Sequence, residues 1–243
     1  MATKGTKGKA ETAKTLQYSG SVHHALGAYI MGEWKFEGNC DDTSGNGHNG
    51  TCTGLTFVDN DISELGIAGQ FNGTTDYVEV ANFNDINGLE SLTVIGWVKT
   101  GDTSWMLVSK YQTDGKLFFV WFATDKLYFT MTGLLPLYHF CTKISDTNLS
   151  DFFKSDEWHF IAATYDGSER AIYLDGEKCN SLPASGKIDA GSSPLRIGAY
   201  HGAYSYNLEG LIDEVRIYEE ALSSAQIQKL YVEGAMKRGI ALE

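Results

Sequence analysis

Asp42, Ser44 and Asn46 stand two residues apart in the stretch NCDDTSGNGHNGTC (39–52), with Gly47 directly behind them. Oxygen-bearing side chains at alternate positions, followed by a glycine, match the front of a calcium loop, where hard oxygen donors surround a hard cation. Thr53 occupies the place where a closing acidic residue belongs, so a remote carboxylate must complete any site. Asp213 and Glu37 are the candidates, together with backbone carbonyls. Cys and His donors are not needed for calcium, and His48 is read as a surface residue. A plain Gly/Asn turn and a sugar-contacting loop are the other readings of this stretch. Asp213 draws notice because LIDEVRIY (211–218) alternates faces as a strand. Leu211, Val215 and Ile217 share its face, while Ile212, Glu214, Arg216 and Tyr218 lie on the other. A carboxylate in an apolar row is costly unless it is paired, hydrogen-bonded or bound to metal. Backbone N–H groups at a sheet end would satisfy it as well as a cation.

A second group of residues suits carbohydrate. AYHGAYSYN (199–207) gathers Tyr200, His201, Tyr204 and Tyr206 in one glycine-containing connection. GDTSWML (101–107) adds Trp105, and LLPLYHFC (134–141) adds Tyr138 beside His139. Such rings offer flat apolar faces with polar tips, which suits stacking on sugars. The competing reading packs them on the rim of the core or on an N-terminal helix. Trp34, Trp97, Trp121 and Trp158 lie inside strand-like runs and are read as core. Catalytic signatures are missing: there is no Gly-x-Ser-x-Gly elbow, phosphate loop or His-Glu-x-x-His. Glycosidic hydrolysis needs two carboxyl groups across the scissile bond. Glu209 and Asp213 share a face but stand too far apart along the strand. The chain is read as non-catalytic.

The elements that must position these residues are mostly strands. The 243 residues carry 27 glycines and only 3 prolines, and short β-branched and aromatic runs alternate with Gly, Asn and Asp. Asp-Gly in YDGS and LDGE falls between two such runs and marks tight hairpins. About a dozen strands at this spacing predict a sandwich or barrel. Residues 9–31 are predicted to be a helix, with Tyr18, Val22, Ala25, Leu26, Tyr29 and Ile30 at three- and four-residue steps. Ser223 and Gln226 form a capping box that opens a closing helix with a stripe of Ile227, Leu230 and Tyr231. Gly234 is expected to end the regular part of that helix. The expected division is 1–31 (leader plus helix), 32–234 (sandwich) and 235–243 (tail). Residues 1–8 read as an expression leader and Leu242–Glu243 as a cloning scar.

A net charge of −12 leaves no basic face for nucleic acid. No apolar run approaches the roughly 20 residues of a membrane span. Cys40 and Cys52 bracket the opening loop, and a bridge there leaves Cys141 to pair with Cys179. Two disulfides would imply an oxidising, extracellular setting; four buried free thiols are the alternative.

SLTVIGWVKT, WHFIAATYDGSERAIYLDGE, SPLRIGAY and LEGLIDEVRIYEEALSSAQIQKLY, in this order, resemble the laminin-G-like, concanavalin A-like lectin superfamily. GEWKFEGNCDDTSGNGHNGT resembles the family's opening strand and loop. The resemblance covers about residues 32 to 233. It implies an all-β, two-sheet antiparallel jelly-roll sandwich, with adjacent first and last strands, structural calcium, and a sugar or surface glycoprotein as partner. Retaining glycosidases of this broad fold place their acids as Glu-x-Asp-x-x-Glu, a run this chain lacks. KAETAKTLQYSGSVHHALGAYIMGEW further resembles the back half of the long helix of bacterial type IV pilin-like proteins, and QIQKLYVEGAMKRGIAL their tail. That resemblance implies a pilus-like subunit on the bacterial surface, displaying the lectin-type domain and meeting other pilin subunits through the helix. A free carbohydrate-binding module of a secreted polysaccharide-degrading enzyme is the main alternative.

Overall fold

Glycine-punctuated β runs become strands, the central ones buried on both sides. The computed structural model describes residues 27–59, 66–111, 117–144, 147–153, 157–201 and 206–242. In chain order the strands are β1 (Ile30–Trp34), β2 (Thr51–Thr53), β3 (Thr56–Asp59), β4 (Ile67–Asn72), β5 (Tyr77–Val80), β6 (Leu92–Lys99) and β7 (Ser104–Tyr111). They continue with β8 (Leu117–Ala123), β9 (Lys126–Met131), β10 (Leu134–Leu135), β11 (Tyr138–Cys141), β12 (Lys143–Ile144) and β13 (Thr147–Asn148). The rest are β14 (Trp158–Tyr165), β15 (Glu169–Leu174), β16 (Glu177–Pro183), β17 (Ser185–Gly186), β18 (Leu195–Ile197) and β19 (Glu209–Tyr218). The first sheet runs β16-β15-β14-β6-β19-β4-β3, with β1 also paired to β19; the second runs β11-β9-β8-β7-β18-β5-β2. Their strand pairs are antiparallel. The expected two-sheet sandwich is therefore present.

Between the sheets lies the main core, including Trp34, Phe71, Val98, Trp105, Phe122, Phe129, Ile161 and Ile217. Each such side chain, fully buried, contributes about 1.5–3 kcal/mol. A smaller core lies outside the first sheet, where Trp97, Phe160, Tyr173 and Tyr218 meet Ile227 and Leu230 of the C-terminal helix, Ser224–Lys237. Both disulfides form as expected: Cys40–Cys52, with Cα atoms 5.8 Å apart, and Cys141–Cys179, at 5.9 Å. The second ties β11, an edge of the second sheet, to β16, an edge of the first. Beside it Asn180 Nδ2 donates to Phe140 O at 2.8 Å, occupying part of the exposed strand edge.

Local expectations hold at the hairpins and fail at both ends. Leu174 and Glu177 pair across a two-residue turn, with Asp175 at φ 46° and Gly176 at φ 80°, the backbone that Asp-Gly favours. The helix expected over 9–31 is corrected at its end: Gly27–Tyr29 is a single 3-10 turn and Ile30 begins β1. An open edge of β19 takes this segment as a partner, and that pairing overrides the helical period. Residues 9–26 lie outside the described residues. The capping box forms, with Ser223 Oγ accepting from Gln226 N–H and Gln226 Oε1 accepting from Ser223 N–H. Gly234 does not end the helix, which continues to Lys237 across the expected boundary. Its role is close approach, because a Cβ there would collide with the Trp97 indole.

Candidate functional site

The opening loop is a hydrogen-bonded knot laid over β1. Trp34, fully buried, donates its indole N–H to His48 O at 3.0 Å. Asp42 is the centre: Oδ1 accepts the N–H groups of Glu33 (3.0 Å) and Ser44 (2.8 Å), and Oδ2 accepts that of His48 (2.9 Å). Burial pushes this carboxyl up, but the bonds it accepts outweigh burial and hold it below the usual range. Asn46 Nδ2 donates to Ile30 O at 2.6 Å and Met31 O at 3.2 Å, and Ser44 Oγ lies 3.5 Å from Met31 O. His48, read as a surface residue, instead pairs with Asp85 and packs edge-on against Phe83. Glu37 accepts the N–H of Ile67 at 3.2 Å, away from this knot.

β1 and β19 are neighbours, with Glu33 opposite Arg216 and Trp34 opposite Val215. Asp213 nevertheless does not face the loop. The register of β19 slips between Asp213 and Arg216, where Glu214 takes φ 49°. Ile212 before the slip, and Val215 and Ile217 after it, all point into the main core. The expected row of Asp213 with Leu211, Val215 and Ile217 is therefore corrected: the bulge breaks the period of two. Asp213 lies opposite Trp97 on the helix side and bonds Arg238, whose guanidinium stands over Trp97 at 4.2 Å. Burial pushes Asp213 up to about 7, against the pull of Arg238. Glu33 bonds Arg216 at 2.6 Å; burial raises its carboxyl, but Arg216, Thr43 and Lys35 together outweigh burial and hold it low. Among the described residues, no three His, Cys, Asp or Glu side chains converge to hold a metal. Asp42, Ser44, Asn46, Asp213 and Glu37 are each engaged within the protein, and as arranged they do not fit a calcium cage.

The rings come together on the outer face of the second sheet. One cross-strand row is Met106–Trp121–Tyr128–Phe140; the next is Ser109–Phe119–Thr130–Tyr138. Trp121 stacks on Tyr128 at 4.3 Å, and Tyr128 meets Phe140 at 5.5 Å. The connection after β18 folds back over β7, where Ser109 Oγ donates to Ala199 O at 2.7 Å. It brings Tyr200 to Tyr111 (5.3 Å) and Phe119 (5.5 Å), and Tyr206 edge-on to Trp121 (5.3 Å). Of the residues expected from sequence, Tyr200, His201 and Tyr206 are half-buried beside this face, and Tyr138 is 54% exposed within it. Tyr204 lies outside the described residues. Trp105 is fully buried in the main core against Phe122 and Phe153, so its expected exposure is corrected. Trp121, read as core, is half-buried on the outer face. Alternation within LFFVWFA and KLYFTM, referred to the hairpin between them, was the available signal: Phe119, Trp121, Tyr128 and Thr130 share one parity. Two polar atoms here are buried without a hydrogen-bond partner, Trp121 Nε1 and Thr130 Oγ1.

A polar cleft of about 880 Å³ opens on the other sheet, lined by Gln70, Asn72, Asp76, Lys99, Asp102 and Glu209 among others. Its groups are largely turned on one another: Asp76 accepts the N–H of Asn72, and Asn72 Oδ1 accepts those of Thr74 and Thr75.

This sandwich has a lectin-like fold. The chain belongs to the concanavalin A-like lectin/glucanases superfamily, whose family model matches residues 72–228. No curated protein matches it in sequence. Among solved structures it resembles the binding domain of Paraclostridial Mosquitocidal Protein 1, with a TM-score of 0.66 and 18% identity over 85% of this chain and 52% of that one. It also resembles Domain 4 of AbnA, a GH43 extracellular arabinanase from Geobacillus stearothermophilus solved with arabinotriose (TM-score 0.58, 19% identity, 84% and 98% covered). A third is the binding domain of botulinum neurotoxin DC in complex with rat synaptotagmin II (TM-score 0.65, 14% identity, 86% and 52% covered). The chain spans about half the length of the two toxin domains and nearly all of the arabinanase domain. At these identities the likeness is one of fold.

Proposed function

We propose that this chain is a non-catalytic, extracellular binding module that takes carbohydrate, free or on a glycoprotein, on the outer face of its second sheet. The observation that carries this reading is the continuous chain of ring contacts from Tyr111 through Phe119, Tyr200, Tyr206, Trp121 and Tyr128 to Phe140. Rings with apolar bodies and polar tips match the mixed surface of a sugar. The similar folds that bind arabinotriose and synaptotagmin support a binding role, and the two disulfides suit an oxidising compartment. Titration calorimetry with a panel of polysaccharides tests it. Saturable binding that disappears in Trp121→Ala, with unchanged circular dichroism, is expected; a folded wild-type protein that binds no glycan would end this reading.

A filament-borne setting is a separate proposal and rests on the sequence resemblance of the N-terminal stretch and the tail alone. Cross-linking of the full-length protein at the surface of its own cells tests it, with pilin-sized ladders expected. Calcium is not built into the proposed function, because its expected donors are already bonded within the protein.

A further inference from the structure

The two rows on the outer face define more than a sugar-friendly patch. They run across β7, β8, β9 and β11, a span of about 14 Å at the usual strand spacing. That is much longer than one sugar ring. The second row continues through Arg196 to Glu79 on β18 and β5. These two charges neutralise each other, with Arg196 Nε and Nη2 donating to Glu79 Oε2 at 3.1 and 3.0 Å. Lys126 seats its ammonium 4.4 Å over the Phe140 ring. The Arg196–Glu79 pair thus adds no net charge to the face and Lys126 adds one positive charge at its edge, while the chain as a whole, at −12, repels polyanions.

Thr130 is the second observation. It is fully buried in the outer row, between Phe119 and Tyr138, and its hydroxyl has no partner. Trp121 Nε1, in the adjacent row, is in the same state. Buried polar groups are normally bonded, and a native exception calls for a reason. A bound hydroxyl oxygen supplies one for both donors. Tyr138, more than half in solvent, is the neighbour able to swing away and admit it.

We propose that the ligand of this face is a linear, uncharged polysaccharide that lies across the strands, occupies at least three sugar residues, and bonds Thr130 Oγ1 and Trp121 Nε1. This rests on the carbohydrate reading above and names its substrate class and two specificity-determining residues.

Calorimetry on the full chain tests it with xylo-, manno-, cello-, malto- and arabino-oligosaccharides of two to six units, beside polygalacturonate and chitosan oligomers. An uncharged series is expected to bind, about tenfold or more tighter at four units than at two, with little change between low and high salt. Thr130→Val keeps the shape and removes the hydroxyl. It is expected to weaken binding about five- to tenfold with an equal or higher Tm, a combination that a purely structural hydroxyl would not produce. Equal affinity for two and six units, preference for a charged series, or unchanged affinity in Thr130→Val would each overturn this inference and leave carbohydrate binding standing. Absence of binding to every oligosaccharide and polysaccharide would overturn both.

Discussion

Each sheet carries aromatic side chains on its outer face, and the two faces are finished differently. On the first sheet, Trp97, Phe160, Tyr173 and Tyr218 lie under the C-terminal helix. Arg238 Nε apart, their surroundings are bonded: Tyr173 Oη pairs with Ser224 Oγ at 3.0 Å, Arg238 with Asp213, Lys237 with Glu214 at 3.0 Å, and Arg216 with Glu33. On the second sheet, Phe119, Trp121, Tyr128 and Phe140 have no helix over them among the described residues, and two donors stay unbonded. Aromatic content alone therefore does not mark a binding face. What separates the two faces is cover: the C-terminal helix lies over the first, and no helix among the described residues lies over the second.

Breaking the closed face should cost the most. Arg238→Ala leaves the Asp213 carboxylate buried without its cation, a loss of about 3–5 kcal/mol. Urea unfolding would show it as a lower midpoint, while glycan affinity at the other sheet holds. The pair Asp213→Leu with Arg238→Met should recover most of that stability, since apolar groups of similar size replace buried ions with little loss. If Arg238→Ala instead weakened glycan binding and spared stability, the assignment of the two faces would be reversed.

Beneath the open face lies the next largest effect. His139 is buried on β11, opposite Phe129, and both ring nitrogens lack a partner. Burial, with help from the nearby Arg170 charge, pushes its pKa down to about 4. The unfolded chain takes up a proton near pH 6.5 and the folded one does not until about pH 4. Stability from this group is therefore complete above pH 6.5 and falls as pH drops towards 4, by about 3 kcal/mol in all. Asp213, raised by burial, works in the opposite sense across much of the same window, costing stability as pH rises. His139→Phe should remove the acid loss, so the Tm gap between variant and wild type should widen from pH 7 to pH 4.5. A constant gap would place the imidazole's titration elsewhere.

How much of this was readable beforehand differs between the faces. The sandwich, its hairpins, the capping box and both disulfides follow from local signals: Asp-Gly turns, alternation and cysteine spacing. Those signals act within a few residues and survive folding. Asp213 was misplaced because one bulge at Glu214 reverses parity, and nothing in LIDEVRIY announces it. The first two residues of β1, Ile30 and Met31, fall in the expected helix because the strand partner that claims them, around Tyr218, lies far along the chain. Trp105 and Trp121 were exchanged between core and face for a related reason. A strand buried on both sides hides which parity faces inward, and β7 is buried from Trp105 through Lys110. Thr130 could not be found at all, because an unbonded hydroxyl is a property of the packed structure.

Tyr138→Ala sharpens the contrast at smaller scale. The ring is more than half exposed, so stability should change by no more than about 0.5 kcal/mol. Glycan affinity should change measurably, upward if the ring chiefly covers Thr130 and downward if it chiefly stacks on sugar, because the ring borders Thr130 in the outer row. Equal affinity would remove β11 from the site and confine it to β7, β8 and β9.

The smallest expected effect is zero, at the opening loop. Oxygen donors at alternate positions are shared by calcium loops and by loops tied through their own backbone, so spacing alone does not choose between them. Here three backbone N–H groups point at Asp42. A cation needs lone pairs directed at it, and an N–H in the same place supplies a positive edge instead. The Cys40–Cys52 bridge and the Trp34 bond to His48 O close the loop without further help. EDTA should therefore leave Tm unchanged, and millimolar calcium should add nothing. Asp42→Ala, which strands those three donors, should lower stability by about 1–3 kcal/mol with or without calcium. A Tm that rises with calcium in the wild type and not in Asp42→Ala would restore the metal and require the loop to rearrange around it.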